Sequence, residues 1–197
     1  MVATSDGGYL LGGYSPSPIS GDKTQATQGG DDYWVVKINS SGVKQWDARF
    51  GGSGADQLYS MVATSDGGYL LGGYSASGIS GDKTEASRGG NDYWVVKING
   101  SGVKQWDKRF GGSGSDQIYS LLSTDDGGYL LGGISSSGAG GDKTQGTQGY
   151  IDYWVVKINS SGTKQWDYRY GGNGSFAFNM FTSMTSTDDG GYLLGGY

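Results

Sequence analysis

"YWVVKI", residues 93–98, decides how this chain must fold. Read as a strand, it points Tyr93 and Val95 to one face and Trp94, Val96 and Ile98 to the other, so both faces are apolar and both need cover. No helix is on offer to provide it. No segment carries a 3.6-residue apolar period, and glycine recurs too often for helix. The cover must come from other strands. The same six residues stand again at 33–38 and 153–158, which names the source: copies of the unit itself.

Working outward, the larger stretch "GGNDYWVVKINGSGVKQWDKRFGG" (89–112) occurs three times with slight edits. Residues 1–60 and 61–120 differ at ten positions, a third copy follows from Leu121, and a partial fourth reaches Tyr197. The 60-residue period breaks once, where "GGNGSFAFNMFTS" (171–183) replaces "GGSGSDQIYS" (111–120) and adds three residues. A structural unit that cannot bury its own faces is repeated until neighbours cover them, whereas an active site is normally needed once. The array divides into 1–60, 61–120, 121–183 with the expanded connection, and a half unit at 184–197.

Within one unit, "SMVATSDGGYLLGGYS" reads as two strands, a and b, around a turn in which Asp66, Gly67 and Gly68 accept positive φ. "DYWVVKINGSGVKQWDKRF" gives strands c and d, joined through the "NGSG" at 99–102. Gly72 and Gly73 in strand b let a neighbouring sheet approach closely. Strand d alternates Lys104, Trp106 and Lys108 with Gln105, Asp107 and Arg109, and so has one polar face. That suits an outer edge, with Asp107 and Arg109 a solvent-facing ion pair. Four antiparallel strands that stack only on copies of themselves predict an all-β fold, a β-propeller of four-stranded blades in about three and a half repeats.

Composition narrows the function classes. Forty-one glycines beside fifteen tyrosines and six tryptophans describe short strands and tight turns in a chain too aromatic to be a disordered linker. A net charge of -5 leaves no cationic surface for phosphates and argues against nucleic acid as a partner. With no histidine and no cysteine, the commonest general base and the thiolate ligands are missing, which weighs against an enzyme. No apolar run approaches the roughly 18 residues of a membrane helix. The first residues, "MVATSDGGYLLGGYS", repeat at 61–75 and lack the pattern of a signal peptide. Met1 thus falls in mid-repeat, and the sequence reads as a piece of something longer.

The combined run "GGSGSDQIYS…STDDGGYLLGG…GGNDYWVVKINGSGVKQWDKRFGG" resembles the tandem repeats of secreted β-propeller proteins of Bacteroidetes-type bacteria, often exported by the type IX route, and is similar to the broader bacterial β-propeller repeat (SBBP) families. The resemblance covers essentially the whole chain. It implies a secreted or surface-attached propeller and brings no catalytic motif with it.

Two sets of side chains are candidate ligand sites. Asp32, Asp92 and Asp152 precede the Tyr-Trp pair in every copy, and with Trp34, Trp94 and Trp154 they offer a carboxylate beside an aromatic platform, the pattern of a multivalent lectin for a surface glycan. The competing reading has the Asp ending the loop and the aromatics filling the gap between blades, and the apolar strand favours it. In "SGDKT", Asp22, Asp82 and Asp142 are candidate calcium ligands, although each is followed by lysine and no further acidic oxygens alternate with it. A loop-closing turn is the alternative, so no cofactor is required. The carboxylate pairs Asp125–Asp126 and Asp188–Asp189 fall in the a–b turn and read as turn chemistry. Residues that break the repeat, namely Pro16, Pro18, Tyr150, Ile151, Phe176, Phe178, Met180 and Phe181, read as drift plus an apolar plug under a blade junction.

The sequence thus points to a non-enzymatic scaffold or interaction module, extracellular or on a bacterial surface. Its expected partners are further blades of the same chain or other copies, because propellers close with four to eight blades. A polysaccharide-acting enzyme is the most distant reading.

Overall fold

The computed structural model describes residues 1–174 and 177–197, and every named element in it is a strand. In chain order these are β1 (Val2–Ala3), β2 (Tyr9–Ser15), β3 (Asp32–Ile38), β4 (Lys44–Phe50), β5 (Asp56–Ala63), β6 (Tyr69–Ser75) and β7 (Asp92–Ile98). They continue as β8 (Lys104–Phe110), β9 (Asp116–Ser123), β10 (Tyr129–Ser135), β11 (Asp152–Ile158), β12 (Lys164–Tyr170), β13 (Phe181–Ser186) and β14 (Tyr192–Gly196). No helix among the described residues is long and apolar enough to cross a membrane. Three four-stranded sheets run in the orders β1-β2-β3-β4, β5-β6-β7-β8 and β9-β10-β11-β12, and β13 and β14 form a two-stranded sheet. Every register given is antiparallel. The sheets are therefore up-and-down meanders with strand d at one edge, repeated with the period read from the sequence.

Strand a is longer than its apolar part suggested. β5 begins at Asp56, so the repeat boundary at 60/61 falls inside it, and a bulge between Leu58 and Ser60 absorbs one extra residue. The bulge recurs between Gly132 and Gly133 and between Phe181 and Ser183. In the a–b turn the two glycines do different work. Gly67 takes the left-handed φ of 79°, whereas Gly68 has no positive φ and leaves room for the Ile98 carbonyl oxygen, 2.2 Å from where a Cβ would stand.

The chain divides into two compact units, residues 1–87 with 94–109 and residues 88–93 with 110–197. In the first, Leu10, Tyr33, Val35 and Phe50 from one sheet pack against Leu58, Leu71, Trp94, Val96 and Ile98 of another. The Tyr33 ring lies 4.8 Å from the Trp94 ring, and its hydroxyl donates to the Trp94 carbonyl oxygen at 2.8 Å. A Cβ at Gly73 would come 2.9 Å from that hydroxyl oxygen, so this strand-b glycine admits the tyrosine. The trade is favourable: a buried aromatic contributes roughly 2–3 kcal/mol by area, against about 1 kcal/mol for glycine's extra chain entropy.

The second unit repeats the device. Tyr93 packs on Trp154 with ring centroids 4.7 Å apart and donates to its carbonyl oxygen at 2.7 Å, beside Gly133. Its core joins Leu130, Ile134 and Val155 to Phe181 and Met184 of the terminal hairpin, with Tyr153 edge-on to Phe181 at 5.4 Å.

Candidate functional site

Strand c and the long loop before it carry the candidate residues, and the strand-d aspartate organises them. Trp94 Nε1 donates to Asp107 Oδ2 at 3.0 Å, and the same carboxylate accepts from the backbone N–H and hydroxyl of Thr84, each at 3.0 Å. Lys104 completes the cluster at 2.6 Å. Burial alone would push the Asp107 carboxyl up, but the bonds from Lys104, Thr84 and Trp94 outweigh it and hold it below the ordinary value. Asp47 gathers Trp34, Thr24 and Lys44 in the same way, and Asp167 gathers Trp154, Thr144 and Lys164. The solvent-facing Asp107–Arg109 pair expected at the rim is therefore corrected. Asp107 is 3 % and Arg109 9 % exposed, because the loop between strands b and c folds over the edge strand, and Arg109 reaches Glu85 on that loop at 3.6 Å.

Asp32, Asp92 and Asp152 are fully buried. One oxygen of each accepts a loop N–H at 2.7 Å, from Gln28, Arg88 and Gln148 respectively. The other oxygen lies against a glycine after strand d, at 2.1, 2.3 and 2.0 Å from a Cβ built at Gly51, Gly111 and Gly171. Each carboxylate is thus enclosed between the loop it closes and the connection to the next sheet. Burial pushes the Asp32 carboxyl up, against the Gln28 bond and the nearby Arg49. Trp94 and Trp154 have no exposed surface, so among the six aspartates and tryptophans singled out for sugar binding only Trp34 is accessible.

The "SGDKT" aspartates meet guanidinium groups. Asp82 Oδ2 accepts from Arg49 Nη1 at 2.7 Å and from the Gly51 N–H at 3.3 Å. Asp142 Oδ2 accepts from Arg88 Nη1 at 2.7 Å and the Gly111 N–H at 3.2 Å. Both carboxylates are thus engaged by a guanidinium and a backbone N–H. Among the described residues no three acidic, histidine or cysteine side chains gather to hold a metal, and Asp22 lies instead at the wall of a cavity beside Trp34.

The lysine after each of these aspartates was missed. Lys23, Lys83 and Lys143 are 2–3 % exposed, and Lys143 donates to Ser135 Oγ at 2.7 Å and the Ser137 carbonyl oxygen at 3.1 Å. Burial pushes the Lys143 ammonium down to about 8. Lys83 makes the matching bonds to Ser75 and Ser77. The signal available was the recurrence of Asp-Lys beside a serine-rich loop. A lysine in a polar loop reads as solvated until the serines are seen to converge on it.

The turn carboxylates also find lysines. Asp66 accepts from Lys97 at 2.9 Å and Asp126 from Lys157 at 2.9 Å, while each also caps its own turn through Thr64 or Thr124. Of the residues that break the repeat, Phe181 is buried and Met180 packs on the same core, whereas Tyr150 and Phe178 are exposed, their rings tilted against each other with centroids 4.9 Å apart. Phe176 lies outside the described residues.

An apolar hollow stands open among the described residues. A cavity of about 530 Å³ lies on the first sheet, walled by Leu11, Tyr14, Trp34, Val36 and Ile38, with Gly42, Asp22 and Lys44 at its margin. The corresponding Leu71, Trp94, Val96 and Ile98 are fully buried.

No protein-family model matches the chain, and no curated protein does. Among solved structures it is similar to a protein of unknown function from Bacteroides caccae, at 15% identity and a TM-score of 0.48, over 83% of this chain and 47% of that one. The chain spans about half the length of that protein.

Proposed function

We propose that this chain is a segment of a secreted, non-enzymatic β-propeller that serves as a rigid scaffold or interaction module on a bacterial surface. One observation carries the reading: Tyr33, Tyr93, Trp94 and Trp154 are consumed in joining sheet to sheet, and Asp32, Asp92 and Asp152 in closing the loops before strand c. A chain whose repeated chemistry is spent on stacking presents rigid surface rather than a reaction site. The four-stranded meander with strand d outermost is the blade that such a propeller stacks. Secretion and surface attachment rest on the resemblance to the bacterial repeat families.

A glycan site at Trp34 is the competing reading, favoured by the open cavity beside its ring. A glycan array probed with the full chain decides between them. The scaffold reading expects no saturable binding. Binding that is lost in Trp34→Ala, with the circular dichroism spectrum unchanged, would replace the scaffold with a single-site lectin.

A further inference from the structure

The bulge in strand a decides where one tyrosine points. In β5, Leu58 stands opposite Gly73 and Ser60 opposite Gly72, so Tyr59 is the extra residue, and a bulge re-aims the side chain it carries. The Tyr59 ring is 43 % exposed and reaches across to β2 of the first sheet, where the Tyr14 ring lies with its centroid 6.1 Å away, the two planes tilted at 49°. Tyr14 is 45 % exposed and leaves β2 on the face of Leu10 and Gly12. That face is turned to the second sheet, since a Cβ at Gly12 would meet Met61 and Leu58. The opposite face of β2, with Tyr9 and Leu11, takes no part in the contact, and the pair belongs to an internal junction.

Two further observations set the pair apart from scattered surface aromatics. The Tyr59 hydroxyl donates to Gln57 Oε1 at 2.8 Å, and Gln57 Nε2 donates to Asp31 Oδ2 at 2.6 Å, so the ring is held by a chain of bonds that ends on a carboxylate. Tyr119, the extra residue of the same bulge in β9, donates to Gln117 Oε1 in the same way at 2.8 Å. The tyrosines are also kept and lost together. Tyr74 stands in β6 where Tyr14 stands in β2, and the bulge of the next sheet then carries Tyr119. In β10 the place is held by Ile134, and the extra residue of the bulge in β13 is Thr182. With no cysteine, the chain has no disulfide with which to tie one sheet to the next.

We propose that Tyr14 and Tyr59 form an oxidative cross-linking site, at which a peroxide, acting through a one-electron oxidant of the haem peroxidase class, joins the two rings as dityrosine. Each phenol gives up one electron and its hydroxyl proton, and the two phenoxyl radicals combine through ring carbons beside their hydroxyls. Each of those carbons then sheds its hydrogen as a proton while the oxygen regains one, so a single C–C bond replaces two C–H bonds. The peroxide takes up the two electrons and two protons and leaves as two molecules of water. Rings already held side by side couple within the chain, because the encounter of the two radicals is settled by the fold. The new bond staples β2 to β5 across residues 45 apart and constrains the unfolded chain as a disulfide of that span would.

The test treats the unmodified chain, kept dilute, with hydrogen peroxide and a haem peroxidase, and then digests it with trypsin. Trypsin leaves Tyr14 in residues 1–23 and Tyr59 in residues 50–83. The site expects these two peptides joined, lighter by two hydrogen atoms than their sum, in chains that run at one chain mass on a denaturing gel. Fragmentation should assign the bond to Tyr14 and Tyr59. The joined pair should be lost in Tyr14→Phe and in Tyr59→Phe, which remove only a hydroxyl, and kept in Tyr9→Phe and Tyr74→Phe. The same treatment in concentrated urea should scatter the bonds among other tyrosines. Bonds only between chains, a link from Tyr9 or Tyr74 in place of the expected one, oxidation of Trp34 with the tyrosines intact, or an equal yield in urea would each overturn the site. A second measurement unfolds the purified cross-linked chain in urea: its midpoint should move upward, and an unchanged midpoint would overturn the staple. None of these outcomes touches the scaffold reading, which the glycan array decides separately.

Discussion

Trp34 and Trp94 sit at the same place in strands of identical sequence, DYWVVKI, and make the same indole bond to a strand-d aspartate at 3.0 Å, yet one ring is partly exposed and the other is fully buried. The strand cannot be the cause. What differs is the neighbour: Trp94 has Tyr33 upon it, while a cavity opens beside Trp34. Burial in a repeat array is a property of junctions, and a strand's own residues decide only whether it is able to take part in one.

The sharpest way to break this comparison is to remove the two rings in turn. Trp94→Ala should lose about 3–5 kcal/mol of stability in urea unfolding, the usual cost of emptying a buried aromatic site. Trp34→Ala should lose less than about half of that, because part of its ring is already wet. Equal losses would mean that the junction adds nothing to the strand.

The strand-b glycines sharpen it next. A Cβ at Gly73 would stand 1.9 Å from the Gln57 carbonyl oxygen and 2.9 Å from the Tyr33 hydroxyl, whereas one at Gly13 would meet nothing within 4 Å. Gly73→Ala is expected to lose about 1–3 kcal/mol by overpacking. Gly13→Ala should change stability by less than about 1 kcal/mol, and in the stabilising direction, since it only restricts the unfolded chain. Thermal melts of the two variants check the ranking, and a neutral Gly73→Ala would remove the reason given for that glycine.

The smallest effect separates turns with and without a strand-c lysine. The Thr64 hydroxyl and the Lys97 ammonium hold the Asp66 carboxyl at about 2, below its ordinary 3.8. A depressed carboxylate stabilises above its unfolded pKa and loses that contribution as pH falls through the folded value, here between about 4 and 2. Half of the Asp66 side chain is exposed, so the contribution is screened to roughly 0.5 kcal/mol. Asp66→Asn should therefore flatten the acid limb of the melting profile slightly, and Asp189→Asn should flatten it less. The reverse order would show that the turn bonds, and not the lysine, set the carboxyl.

These contrasts also mark how far the sequence could be read. The alternation in YWVVKI identified both faces of strand c correctly, and the 60-residue period gave the sheets, because apolar periodicity and repetition are local signals. Strand d misled. Its polar face looked wet because Asp107 and Arg109 are charged, and only the loop bearing Thr84 and Glu85, which comes from 22–25 residues earlier in the chain, covers them. Lys83 and Lys143 misled differently, since their serine partners stand only six to eight residues earlier and converge on the ammonium only once the loop has folded back. Asp82 and Asp142 were legible as loop aspartates but not as acceptors for Arg49 and Arg88, which come from 33 and 54 residues away. Charge hidden by a distant segment leaves no mark on the residues beside it.

The Tyr33 and Tyr93 hydroxyls each reach a carbonyl 61 residues further on, so each of these junctions is written half in one repeat and half in the next. Copying one whole period therefore copies a donor and an acceptor together. A chain lengthened or shortened by full periods keeps every internal junction intact, whereas a change by any other amount inside a sheet separates a donor from its acceptor. The three added residues in 171–183 obey the rule, since they fall in the connection between β12 and β13 and leave the pairing of β13 with β14 in the common register. The arrangement makes copy number the dimension in which such a molecule can vary freely, because each added period brings one half of a junction and receives the other.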